Sequence, residues 1–269
     1  MGLALLFVIW LITLFSSWFF AFTPRWASMP PGASTIAPAI DAQFQVTYIA
    51  MGVVFIAAQL ALGLFVWQYR DRERAKSDFS HGNLRLEMIW TTLTAILFVG
   101  LNLMGQKIWA EARWQGASPG AMQVEITGMQ FQWYFRYPGA DGKFGRVDPT
   151  QADASAGGEA ALGLDTTDPA AKDDVVVNTL YLPVNREVEV HLRAMDVIHD
   201  FYVPELRFKQ DAVPGLIILM HFTPNKIGQY EIACAELCGL GHYKMRAVLN
   251  VVSPEDFATW EKARLAEKQ

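Results

Sequence analysis

Cysteine is scarce in this 269-residue chain, which has two, Cys234 and Cys238. Two cysteines cannot supply the disulfide framework on which small secreted scaffolds depend. Charge is also scarce, at 18% of residues against roughly 25% in an average soluble domain. Positive charge is the shorter sign, with 22 Lys and Arg against 27 Asp and Glu, net −5. The broad basic surface of a nucleic-acid binder is therefore missing. No Cys-x-x-Cys-His occurs, so a covalently attached c-type haem is excluded. What is plentiful is apolar: 52% hydrophobic residues and 13% aromatics, a balance that excludes disorder as the main theme and leans towards the membrane. Charge is also unevenly placed. Residues 1–113 carry 8 Lys/Arg and 6 Asp/Glu, and residues 114–269 carry 14 and 21, so the chain has a positive half and an acidic half.

A hydrocarbon core about 30 Å thick is crossed by roughly 20 apolar residues of helix. Three uncharged runs meet that length: Gly2 to Phe22, Gln43 to Tyr69, and Met88 to Gln106. The third has a polar stripe of Thr91, Thr92, Thr94, Asn102 and Gln106, which suggests one face against protein. The first (1–22) reads as an additional transmembrane helix or a signal sequence. It lacks the basic residues that open a signal peptide, while the small residues near Ala27 and Ser28 leave cleavage open. Arg70, Arg72, Arg74 and Lys76 place the loop at 70–83 on the cytoplasmic side. The expected order is then an outside loop over 23–42, a transmembrane helix hairpin over 43–113, and an exported domain over 114–253.

From residue 122 the hydrophobic period changes to two, in short bursts such as Val188 to Leu192 and Arg246 to Val252, bounded by Pro, Gly and Asn. That pattern predicts a sandwich or Greek-key barrel. The expected fold class is a membrane-anchored all-β protein, with three helices followed by a cupredoxin-like Greek-key β-barrel. Residues 138–174 are rich in Gly, Ala and Asp, with eight acids against three bases. They read as a long surface hairpin insertion, either a solvated loop or an acidic dock for a cationic partner. A final helix over 254–269 has Ser253 as its cap and Pro254 at its first position.

The chemistry concentrates in Cys234-Ala-Glu-Leu-Cys238-Gly-Leu-Gly-His242-Tyr-Lys-Met245. Two thiolates, an imidazole and a thioether form a soft donor set of the kind that selects copper in cupredoxins. A second imidazole is needed, and His199, in Asp196-Val-Ile-His-Asp-Phe-Tyr-Val-Pro204, supplies it from upstream. A single blue-copper centre uses one Cys, so the second thiolate argues for two metals bridged by both sulfurs. A Cys234–Cys238 disulfide would leave His242 and Met245 unexplained, and zinc rarely takes a thioether. His191, His221, Met129, Met195 and Met220 read as structural. Asp196 and Asp200 flank His199, either as orienting partners for its ring or as plain corner acids.

These residues resemble subunit II of the haem–copper oxygen reductases, the cytochrome c oxidase family, with its binuclear CuA centre. The likeness runs from about residue 43 to 260. It includes Gly128-Met-Gln-Phe-Gln-Trp-Tyr-Phe-Arg-Tyr-Pro138 and Lys209-Gln-Asp-Ala-Val-Pro-Gly215 as well as the cysteine loop. The resemblance implies bridging by Cys234 and Cys238, imidazole ligation by His199 and His242, a weak Met245 ligand and a backbone carbonyl ligand from Glu236. It further implies that the Glu236 side chain reaches a magnesium at the interface with subunit I. Glu87, in Leu84-Arg-Leu-Glu-Met-Ile-Trp-Thr91, is similar to the acid at the mouth of a proton pathway. A carboxylate at a helix N-terminus is also favoured by the macrodipole alone.

The implied function is that of the electron-input subunit of a terminal oxidase in a bacterial inner membrane. It would take electrons from a periplasmic donor such as cytochrome c and pass them to haem in subunit I, where oxygen is reduced. No catalytic acid, base or nucleophile is expected in this chain, and haem belongs to the partner subunit alone. Two departures stand out. The family's donor-facing Trp is Phe131 here, with Trp133 the nearer match to a later aromatic, so the resemblance offers Phe131 and Trp133 for electron entry; the Arg that follows Pro-Gly is Leu216. The alternatives left open are a CuA subunit of a haem–copper nitric oxide reductase and a copper-binding assembly protein.

Overall fold

The computed structural model describes residues 2–23, 29–71, 76 and 81–268. The basic loop residues Arg72 and Arg74, and Ala27 and Ser28, lie outside the described residues. The chain divides into two compact units, one of residues 1–29 and 39–108, the other of 30–38 and 109–269.

Among the described residues three helices are long and apolar enough to cross a membrane, and the first unit holds most of their length: α1 (Gly2–Phe22), α2 (Ala37–Gln68) and α3 (Leu84–Arg113). Helix α1 packs on α2 through a side-chain bond and a notch. The Trp10 indole donates to the Leu60 carbonyl at 3.1 Å. A Cβ on Gly63 would stand 2.7 Å from that indole nitrogen, so only glycine lets the ring approach. Gln43 of α2 donates to the Leu101 carbonyl of α3 at 3.1 Å, the polar contact by which helices associate where water is absent. Helix α3 opens on Asn83, whose side chain accepts from the N–H groups of Arg85 and Leu86. Glu87 follows in the first turn, where the helix dipole favours a carboxylate. Both α2 and α3 extend past the uncharged runs because single charges such as Asp41 and Lys107 fit at helix ends near water.

The second unit is a sandwich of two five-stranded sheets. In the first sheet, β1 (Met122–Met129) lies between β2 (Gln132–Tyr137) and β5 (Val188–Ala194), with β3 (Val175–Val177) and β8 (Ile218–Phe222) at the edges. In the second, β4 (Thr179–Pro183), β10 (Arg246–Val252), β9 (Gly228–Cys234), β6 (His199–Val203) and β7 (Phe208–Ala212) follow in that order. The β1–β5 and β4–β10 pairs are parallel and the others antiparallel, the mixed topology of a cupredoxin-like Greek key. Strand β5 alternates buried and half-buried residues along its length, as a strand with one face on a core should. Val124, Ile126, Trp133, Phe135, Leu192, Phe201 and Ile232 fill the space between the sheets. Each such side chain contributes about 1.5–3 kcal/mol by leaving water.

Three additions surround this sandwich. Residues 30–38 run across it as a strap: Ala33 N–H donates to the Glu205 carbonyl at 2.6 Å, and the buried Ser34 hydroxyl to the Leu206 carbonyl at 2.7 Å. The insertion at 138–174 is not a regular hairpin. Its one antiparallel bridge joins Val147 and Leu164, and the rest is built of turns capped by Asp148, Asp153, Asp165 and Asp168. Its short helix α4 (Gly158–Leu162) buries Ala161 and Leu162 against Met129, Tyr134 and Met195, an apolar seam that a Gly/Asp-rich composition conceals. Helix α5 (Pro254–Ala266) starts where the Ser253 hydroxyl accepts from the Asp256 N–H, and it stacks Trp260 on Tyr181 at 4.8 Å.

Candidate metal centre

The second sheet delivers the site. His199 opens β6, Cys234 closes β9, and β6 pairs with β9 beside them, Phe201 facing Cys234. The chain then loops through Glu236, Cys238 and His242 and returns at Met245, whose carbonyl accepts from the Cys234 N–H at 3.1 Å. The ends of the loop are thus fixed to each other by the β9–β10 ladder.

The donor atoms converge. The Cys234 and Cys238 sulfurs are 3.8 Å apart. His199 Nδ1 is 3.9 Å from the Cys234 sulfur, and His242 Nδ1 is 3.6 Å from that of Cys238. Met245 Sδ lies 3.7 Å from the Cys238 sulfur, and the Glu236 carbonyl 3.2 Å from that of Cys234. His199, Cys234 and Cys238 form a buried cluster able to hold a metal ion. The two free thiols are unlike. Burial pushes Cys234 up, but His199, backbone hydrogen bonds at Asp200 and Glu236, and His242 outweigh it and bring the thiol well below its usual range. Cys238 is raised, first by burial and then by the charge on Cys234. Two thiolates so close repel, and a cation between them removes the conflict.

The imidazoles are held in place by carboxylate and packing. His199 is fully buried, and its Nε2 lies 2.8 Å from Asp196 Oδ1, which turns Nδ1 towards the sulfur. Burial opposes protonation of His199, yet Cys234 and Asp196 together raise its pKa. Asp196, the orienting partner, also accepts from the N–H groups of Gln130 and Val197, both at 2.7 Å. Asp200 turns away to pair with Lys209 at 3.0 Å. His191 and His221 each pair with a glutamate on the first sheet, Glu189 at 3.1 Å and Glu187 at 2.9 Å, away from the cysteine loop.

The aromatic turn between β1 and β2 comes from the opposite sheet and lies on the cysteine loop. The Gln130 amide donates to the Cys238 carbonyl at 2.5 Å. Phe131 is half-buried and lies over Gly239 and Gly241, where a Cβ would strike its ring. Trp133 is the second aromatic that the resemblance offers for electron entry. It is 0% exposed, with its ring 6.0 Å from that of His199 and 5.6 Å from that of Phe201. As an inward residue of β2 it backs the site from the core. Leu237, Leu240 and Tyr243 are exposed around the loop, and the Glu236 side chain is exposed as well. Glu87 belongs to the helical unit, not to this cluster. The bond made by Gln130 escapes sequence reasoning, since no spacing rule links residue 130 to residue 238.

Fold and donor set define a class: a membrane-anchored cupredoxin-like protein with a soft donor set of the copper-binding kind. Residues 122–252 match the family model for the periplasmic domain of cytochrome c oxidase subunit II, and residues 23–108 match that for its transmembrane domain. The alternative cytochrome c oxidase subunit 2 of Bradyrhizobium diazoefficiens is 34% identical over 260 residues, covering 96% of this chain and 91% of that protein. Cytochrome c oxidase subunit 2 of Thermostichus vulcanus is 31% identical over 291 residues, covering 88% of this chain and 79% of its own length. That of Cereibacter sphaeroides is 27% identical over 251 residues, covering 90% and 81%. The chain belongs to the cytochrome c oxidase subunit II family. It is an electron-input component of a haem–copper oxidase complex; the family implies a copper site, and the cluster of His199, Cys234 and Cys238 offers ligands for one.

Proposed function

We propose that the chain holds a binuclear copper centre through bridging thiolates of Cys234 and Cys238, with His199, His242, Met245 and the Glu236 carbonyl completing the set. The convergence of all six donor groups at one end of the sandwich carries this reading. A copper pair held by these residues would supply a relay for single electrons. The chain's own part is to keep the donors still and dry: Cys234, Cys238, His199 and Met245 are buried, and the loop ends are tied by β9–β10.

The half-buried Phe131, lying on the cysteine loop, is the surface aromatic placed to meet the donor. The donor is a soluble cytochrome c, steered by the acidic half of the chain. The copper domain lies on the periplasmic face of a bacterial inner membrane, a reading that the basic loop at 70–76 supports. The exposed Glu236 carboxylate shares a magnesium with subunit I, whose haem receives the electron, and Glu87 lies at a cytoplasmic proton mouth. Copper analysis and EPR of the purified complex test the reading. Two coppers per chain beyond that of the large subunit, with a mixed-valence signal lost in Cys234→Ser and Cys238→Ser, are expected. A full signal in either variant would overturn the ligand assignment.

A further inference from the structure

We propose that Gln130 is a positioning residue that brackets the two halves of the metal centre. The inference rests on the copper reading above and concerns how the donors are held. The donors come in two groups: His199 from the start of β6, and Cys234, the Glu236 carbonyl, Cys238, His242 and Met245 from the end of β9 and the loop after it. Both groups belong to the second sheet, and across the sandwich the β1–β2 turn of the first sheet reaches each of them through one residue. The Gln130 side-chain N–H donates to the Cys238 carbonyl at 2.5 Å. Its main-chain N–H donates to Asp196 Oδ2 at 2.7 Å, and the other oxygen of that carboxylate meets His199 Nε2 at 2.8 Å.

The loop is shaped to receive this residue. Gly239 has φ +128°, a backbone conformation that side chains rarely adopt, and a Cβ there would stand 2.8 Å from the Gln130 amide nitrogen. Gly241 likewise leaves room for the adjoining Phe131 ring. The turn and the loop therefore close on each other as a fitted pair. Gln130 ties one bridging cysteine and one histidine to a single rigid hairpin, so the distance between the two groups does not relax when the charge on the metals changes. It touches no donor atom itself.

The experiment uses the purified complex with Gln130→Met, which keeps the volume but removes the donor, and Gln130→Glu, which keeps the shape. The readouts are copper release to a chelator, the copper hyperfine pattern and the thermal melt. Loss of a hydrogen bond at this position is expected to speed copper release about tenfold and to broaden the hyperfine lines in both variants. Unchanged release and spectrum in both, whether or not the melt shifts, would overturn the bracket and leave only a structural role. Failure of either variant to assemble is answered by the other. Absence of copper from the unmutated complex would instead sink the copper reading itself.

Discussion

Met245 and Asp174 show what single side chains decide here. Met245 is 1% exposed, with its sulfur beside that of Cys238. Met245→Leu keeps the volume and removes the proposed thioether donor. The variant is expected to retain copper with a higher reduction potential, read by redox titration of the complex; an unchanged potential would remove Met245 from the donor set. Asp174 is fully buried beside Arg136 and Glu125. Burial pushes its carboxyl up to about 6, against the pull of the Gly145 N–H and Arg136. A folded-state value above the unfolded one means that the folded form holds the proton more tightly, so stability falls as pH rises from about 4 to about 6 and then levels off. Asp174→Asn is expected to flatten that fall in thermal melts; an unaltered pH profile would contradict it. The clustering of Cys234, Cys238, His242 and Met245 was legible in sequence because these four chemically distinctive side chains fall within twelve residues, whereas the Glu236 carbonyl, a backbone group, rested on the resemblance alone. Gln130 was not, since its contact exists only once two sheets have packed.

At the scale of elements, the strands were legible from their period of two and the three membrane helices from their uncharged length. The insertion was harder to read. Its buried pair, Ala161 and Leu162, has no periodic context, and its Asp-capped turns carry the same residues as an unstructured loop. The strap at 30–38 was invisible for a similar reason: it is held by backbone groups, which any sequence supplies. Ser34 makes its side-chain contribution, and Ser34→Ala leaves the Leu206 carbonyl without that donor. A cost of about 1–2 kcal/mol is expected, read as a lower unfolding midpoint of the copper domain in the complex. No shift would mean that the strap is held by its backbone bonds alone.

For the whole molecule, composition already separates an apolar, positively biased anchor from an acidic second half. If a cationic donor meets that acidic half, raising ionic strength above physiological values should slow donor oxidation by weakening steering. A rate indifferent to salt would mean that the exposed Leu237, Leu240 and Tyr243 govern the encounter instead. The scarcity of cysteine reads differently at this scale. Two cysteines are too few to staple a scaffold, and they are the number that two bridged metals require. The central claim is that electrons enter the oxidase through this pair, and rapid-mixing spectroscopy of the intact complex tests it most directly. The account predicts that the near-infrared copper band responds to reduced donor before the haem does, and that Cys234→Ser abolishes both the band and fast haem reduction. Haem reduction at full speed in the variant would contradict it.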